Sequence, residues 1–191
     1  MQPVRRRQLI DATIETIHRF GFADTTISRI AGAAGMSSGI ISHYFGGKNA
    51  LLEATMRFLM QELRSDFLGR VAKAKTPHER LEAIVDPNFN EEQFTPQVIG
   101  AWLSFWSQVP FSDPLRRLNA VYFKRLASNL RHELRRLTTD QRAEEIAAVT
   151  AAMIDGIWVR SGLTPGRANV AAARKMVLDT MHLHLASSPA R

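Results

Sequence analysis

The sequence predicts an all-α chain of about nine helices, in which an N-terminal three-helix unit is joined by a long helix to a larger C-terminal helical bundle. Three observations predict this. Apolar residues recur at helical spacing nearly throughout, with no competing strand-like alternation. Glycines punctuate the pattern at short intervals before residue 50, and polar-Pro pairs punctuate it at longer intervals afterwards.

Taken in order, Ile10, Ile14, Ile17 and Phe20 share one face of a first helix that Gly21 ends. Thr26 can cap a short helix carrying Ile27, Ile30, Ala31 and Ala34, and Gly35 breaks it. Ser37 can cap another, with Ile40, Ile41, Tyr44 and Phe45, which Gly46-Gly47 stops. From Asn49 a helix runs to about Ala74 on a stripe of Leu52, Met56, Leu59, Leu63, Phe67 and Val71. Thr76-Pro77-His78-Glu79 has the form of a capping box, Thr95-Pro96, Asp113-Pro114 and Thr164-Pro165 repeat a cap followed by Pro, and Thr138 with Gln141 forms a second box. The helices these signals open cover roughly 77-86, 96-108, 114-137, 140-161 and 165-185, leaving Asp86 to Phe94 as the one sizeable loop. The expected division is 1-47 and 48-191.

Composition narrows the function classes. At 45% apolar and 23% charged over 191 residues, the chain can bury a core, which excludes a disordered or fibrous protein. It has no Cys, so disulfides, thiolate chemistry and Cys-based zinc sites are all excluded. The longest apolar run, Ile146 to Val159, contains Asp155 and is short for a bilayer, and no apolar stretch follows the opening MQPVRRR. A cytoplasmic chain without a membrane partner is expected. The net charge of +7 favours polyanionic partners, yet it does not place them. Residues 1-50 hold six Lys/Arg against three Asp/Glu, while residues 114-137 hold seven against one.

Two short amphipathic helices separated by Gly35-Met36-Ser37 make a helix-turn-helix. Ile41 and Phe45 turn the second helix back into the unit, leaving Ser37, Ser38, Gly39, Ser42 and His43 outward, where small polar groups can approach base edges and phosphates in a major groove. Tyr44 and Lys48 flank its end. A pair of ordinary core helices would share the spacing, without a reason for the basic first helix. Arg5, Arg6 and Arg7 could reach phosphates or form a solvated tail.

The stretch Thr25 to Leu52, TTISRIAGAAGMSSGIISHYFGGKNALL, resembles the DNA-binding domain of TetR-type transcriptional repressors, down to Tyr44-Phe45, Lys48 and Leu51-Leu52. It departs at Ser42, where the family commonly has Tyr, so a contact there would use a hydroxyl. The resemblance implies a homodimer that places two recognition helices on an inverted repeat of double-stranded operator DNA. It also implies DNA contacts from Thr26, Ser37, Ser38, Gly39, Ser42, His43, Tyr44 and Lys48, and a C-terminal bundle that binds a small inducer. Within the family, four further segments are similar to the choline-responsive repressors of glycine-betaine synthesis: Gly39 to Asn49, Ala54 to Met60, Trp102 to Trp106 and Ile154 to Trp158. That similarity implies choline as the effector. A repressor of an efflux or lipid-metabolism operon, sensing a hydrophobic ligand, is the alternative.

Aromatic placement bears on the effector independently. Eight of the fifteen aromatics lie between Phe89 and Phe123. Trp102, Phe105 and Trp106 share a helix face, and Trp158 stands three residues after Asp155 on another helix. Trp faces with a carboxylate suit a quaternary ammonium, each desolvated cation-π contact contributing about 2 kcal/mol. Tyr122 would add a hydroxyl. The same stripe is equally the signature of a core. An enzyme is disfavoured because no catalytic constellation, metal-binding motif or cofactor-binding loop is present, and His182 and His184, two apart, diverge on a helix.

Overall fold

Gln2 to Phe20 forms α1, so Arg5, Arg6 and Arg7 lie within a helix and not in a solvated tail. The computed structural model describes residues 2-164, 166 and 169-187. Among these the regular elements are helical: α1 is followed by α2 (Ile27–Ala33), α3 (Gly39–Phe45), α4 (Lys48–Val71), α5 (Pro77–Val85), α6 (Pro96–Gln108), α7 (Asp113–Leu134), α8 (Asp140–Leu163) and α9 (Val170–Ala186). The expected all-α architecture with nine helices is what is found among the described residues.

The caps explain most boundaries. The Thr26, Thr76 and Thr95 hydroxyls accept from the N–H groups of Arg29, Glu79 and Val98, and Glu79 returns the bond to the Thr76 N–H. Three of the expected caps differ. Thr139, and not Thr138, caps α8 by accepting from Arg142 N–H, while Thr138 is fully buried. Ser37 opens no helix: α3 starts after Ser38, whose side chain makes no capping bond. Asn169 caps α9 at Val170, and Pro165, expected to open that helix, lies outside the described residues. The expected loop from Asp86 is a 3-10 turn, Asp86–Phe89, that buries Pro87, Asn88 and Phe89.

Packing divides the chain into two units. The first comprises residues 1-61 and 95-119, with α6 against α1 and α2 against both α1 and α3. Its core is Leu9, Ile14, Ile17, Ile30, Ile41, Leu51, Met56, Leu59, Trp102 and Phe105. The second comprises residues 62-94 and 120-191, where α9 packs against α5, α8 and the 3-10 turn. Its core is Leu81, Val85, Leu130, Leu134, Ile146, Ile154, Trp158, Val177 and Met181. Val177 and Met181, four residues apart on α9, are thus internal. The uncovered apolar residues of the last two helices are Val149, Val159, Leu163, Met176 and Leu183. By length and a mean hydropathy of 1.3, α8 alone among the described helices could cross a membrane, although Ala143, Ile146, Ala147, Thr150, Ile154 and Trp158 are buried in its unit.

Among the described residues, one charged side chain, Glu133, is buried. Glu133, only 4% exposed, accepts from Arg80 Nε at 2.7 Å and Arg136 Nη1 at 2.9 Å. Burial pushes the Glu133 carboxyl up, but the bonds and charges of Arg80 and Arg136 outweigh it and hold the group below its ordinary value. Removing Arg80 leaves the buried Glu133 carboxylate with Arg136 as its remaining close partner, so Arg80→Ala should cost about 1-3 kcal/mol by denaturant unfolding. A carboxyl depressed in the fold contributes stability above the unfolded-chain value and loses it as pH falls through the depressed one. Unfolding free energy should therefore drop more steeply on acidification in the wild-type chain than in Glu133→Gln.

Candidate nucleic-acid interface and aromatic clusters

The turn between α2 and α3 is made by Gly35 at φ +64°, where a side chain would be strained, and by Met36 N–H donating to Ala31 O at 2.8 Å. Ile30 and Ala31 on α2 and Ile41 on α3 are buried, as the periodicity requires. The opposite side of the motif is open: Thr26, Ser37, Ser38, Gly39, Ser42 and His43 are exposed, and Tyr44 is half-buried. His43 and Tyr44 meet edge to face at 5.0 Å. Gly46, at φ +80°, ends α3, its N–H donating to Ser42 O.

Lys48, the first residue of α4, is half-buried. Its Nζ donates to Phe22 O at 3.3 Å and lies 4.7 Å from the Phe22 ring centre, so the stem is held while the charge stays beside the motif. Arg29 is similarly fixed, donating to Asp24 O at 2.6 Å with its guanidinium 4.5 Å from the Phe20 ring centre. The sequence reading gave Arg29 no role, and a lone Arg on a short helix carries no signal that would assign one. Of the early arginines, Arg7 pairs with Asp11 at 2.8 Å and stacks on Phe58 at 4.0 Å, while Arg6 reaches α3.

The residues expected to hold an effector fall into two clusters. In the first unit, Trp102 is 5.8 Å from Phe105, edge to face, and 5.5 Å from Trp106. Trp102 and Phe105 are buried, whereas Trp106 is half-buried and its Nε1 has no hydrogen-bond partner. In the second unit, Trp158 is 3% exposed, donates from Nε1 to Asn88 O at 3.1 Å and meets Phe94 edge to face at 5.4 Å. Its indole N–H is therefore committed to the core.

One helical turn before Trp158, half-buried Asp155 has an Oδ1 without a hydrogen-bond partner, and burial pushes its carboxyl up to about 7. Tyr122 is pushed above its ordinary value, first by burial and then by the negative charge of Asp155, so the two groups sense each other. A carboxylate in this setting gains from any cation brought to it. Two polar cavities of the second unit, about 580 and 570 Å³, are lined largely by residues from Glu62 to Glu92, and neither includes Tyr122, Asp155 or Trp158.

Residues 9-55 match the model of bacterial regulatory proteins of the tetR family, and residues 77-186 match that of the BetI-type transcriptional repressor C-terminal domain. The chain is 46% identical over 189 residues to the HTH-type transcriptional regulator BetI 1 of Chromohalobacter salexigens, covering 98% of this chain and 94% of that one. It is 43% identical over 189 residues to the HTH-type transcriptional regulator BetI of Brucella canis, covering 99% and 96%. Its fold is like the crystal structure of a putative transcriptional regulator from Saccharomonospora viridis in complex with choline, with a TM-score of 0.79, 20% identity and coverage of 94% and 96%. With both halves matched and relatives aligned over nearly its whole length, the chain belongs to the TetR family of bacterial transcriptional regulators, in its BetI-type branch.

Proposed function

We propose that the chain is a cytoplasmic, homodimeric repressor that binds an inverted repeat before genes of choline uptake and glycine-betaine synthesis and leaves it when a quaternary ammonium, choline, binds. The similarity to BetI regulators at 43-46% identity over nearly the whole chain carries this reading. The chain acts by binding and not by catalysis. Residues 1-47, with Lys48 at the boundary, make the DNA contacts, and the rest of residues 48-191 serves the effector and the dimer. The exposed polar row Ser37, Ser38, Gly39, Ser42 and His43 reads base edges, Thr26 and Tyr44 flank it, and Lys48 neutralises a phosphate.

The last two helices support the dimer. Val149, Ala152, Gly156, Val159 and Leu163 repeat at steps of three and four and are all exposed on α8, with Met176 and Leu183 exposed on α9. A two-fold axis also supplies the spacing of about 34-36 Å that adjacent major grooves require. For the effector, in the second unit Asp155 is the charge partner, Tyr122 the hydroxyl beside it and Trp158 a candidate aromatic wall, while Trp102, Phe105 and Trp106 form a separate candidate aromatic wall in the first unit. A fold of this kind holds choline in the Saccharomonospora protein. A pocket for a hydrophobic ligand, serving an efflux or lipid operon, is the outcome that would replace this one.

Lys48→Ala should weaken binding to specific and random duplexes alike and flatten the salt dependence of log K by about one unit, one counterion fewer being released. Ser42→Ala and His43→Ala should instead cost about 1-3 kcal/mol at particular base pairs, read by competition among operator variants. Unchanged affinity and slope in Lys48→Ala would remove Lys48 from the interface.

Val159→Glu and Met176→Glu should each give monomers by ultracentrifugation at micromolar concentration, with helicity retained and operator binding lost. A wild-type monomer under those conditions would contradict the dimer.

Calorimetry separates the effector readings. Choline should bind, and its neutral isostere, with carbon in place of nitrogen, should bind far more weakly, because attraction to both ring face and carboxylate needs the charge. Trp106→Ala should weaken choline binding if that cluster forms a wall. With Asp155 titrating at about 7, a fixed cation prefers its ionised form, so choline affinity should rise about tenfold from pH 6 to pH 8, with proton release, and lose this dependence in Asp155→Asn. Heat from the neutral compound and none from choline would remove choline while leaving the repressor intact.

A further inference from the structure

We propose that Arg6 is a positioning residue for sequence reading: it fixes α3 from α1 through Tyr44 and Phe45, and does not act as a phosphate contact. Arg6 Nη1 donates to Tyr44 O at 2.5 Å, and its guanidinium carbon lies 4.3 Å from the centre of the Phe45 ring. Both contacts fall on the last two residues of α3 and come from α1. A helix end leaves its final carbonyls without intrahelical partners, and Arg6 satisfies one of them. The planar guanidinium lying against an aromatic ring while donating to a carbonyl is a geometry that a point-charge ammonium does not reproduce.

The anchoring matters because α3 has little else. Only Ile41 of its seven residues is fully buried, and its N-terminal Ser38 makes no side-chain cap. One buried residue fixes the distance of a helix from its support and leaves its rotation about its own axis soft. Arg6 holds the opposite end at two points and so fixes the rotation that decides where Ser38, Ser42 and His43 face. Base readout depends on that angle, whereas attraction to phosphates depends on charge alone. The neighbouring Arg7 carries the same charge but is committed to Asp11 and Phe58.

This inference rests on the DNA-binding reading, and its test separates the two. Wild-type chain, Arg6→Ala and Phe45→Leu are each used to select from a pool of random-sequence duplexes, and affinity for an unselected random duplex is measured against salt. Wild type should select a defined inverted repeat; failure to select any sequence would overturn the DNA-binding reading itself. Arg6→Ala and Phe45→Leu should both reduce the ratio of selected to random affinity at least about tenfold, the loss of one specific base contact. The double variant should be no worse than the worse single, and the salt slope on random duplex should stay that of wild type. Phe45→Leu changes no charge and decides the matter if Arg6→Ala loses helicity. The proposal is overturned if both variants keep the wild-type selectivity, or if Arg6→Ala flattens the slope by about one unit while Phe45→Leu selects as wild type does.

Discussion

A helix of seven residues does not hold its own shape in water, and α3 has seven. Its burial must come from one side chain while the opposite row stays polar, and much of the first unit can be read as the solution to that constraint. Ile41 is packed in the same core as Ile30 and Ala31 of α2, where the small Ala lets two helices cross closely. Gly35 and Gly46, both at positive φ, set the chain direction at each side without strain. The Thr26 hydroxyl starts α2, and Arg6 closes α3 from outside the motif. Each device leaves the serine and histidine row unused, which is what a reading surface needs.

Charge follows a comparable logic. The basic excess in residues 114-137 rivals that of the N-terminal segment in the sequence, but its arginines are largely consumed inside the chain. Arg116 pairs with Asp113, Arg131 with Glu144, Arg135 with Asp140, and Arg136 with the buried Glu133. Most of these are exposed pairs contributing at best about 1 kcal/mol each. They nonetheless cancel a field that would compete for DNA. Lys48 and Arg29 are held by backbone carbonyls and rings instead, so their charge remains uncancelled beside α3.

The fold class, the helix-turn-helix and the outward row were legible because they rest on local rules of period, cap and glycine. Where two neighbours could both serve, those rules lost their resolving power. Thr138 and Thr139 are equally good caps in sequence, and burial of the first settles the choice. The 3-10 turn at Asp86–Phe89 was missed because a Pro and two polar residues read as loop, while the Asn88 carbonyl and Phe89 ring are in fact core partners. Among the aromatics, spacing revealed shared faces but not which indole N–H was already spent. That is why Trp158 and Trp106, alike in sequence, differ in the fold. Which apolar residues of α8 stay uncovered, Val149, Val159 and Leu163, depends on packing that spacing alone cannot show.

Response to a cation requires more than a place for it, because an effector with equal affinity for two arrangements shifts nothing, and a change from 1:99 to 99:1 needs about 5.5 kcal/mol of preference. Under the proposed function, Asp155 would supply part of that preference. Its carboxyl is pushed up to about 7 because ionisation in a buried setting is costly, and a fixed positive charge removes that cost only in the arrangement that brings it to the oxygen. The preference has to reach α4, the helix that begins at Lys48. At its far end Arg70 is tied to Asp66 at 2.7 Å and to Asp86 at 3.1 Å, and Asp86 also takes Arg174 of α9 at 2.6 Å. These pairs are partly exposed, individually weak and shared through one carboxylate, so they can exchange partners at small cost. Within the second unit, that shared carboxylate joins the end of α4 to the 3-10 turn and to α9.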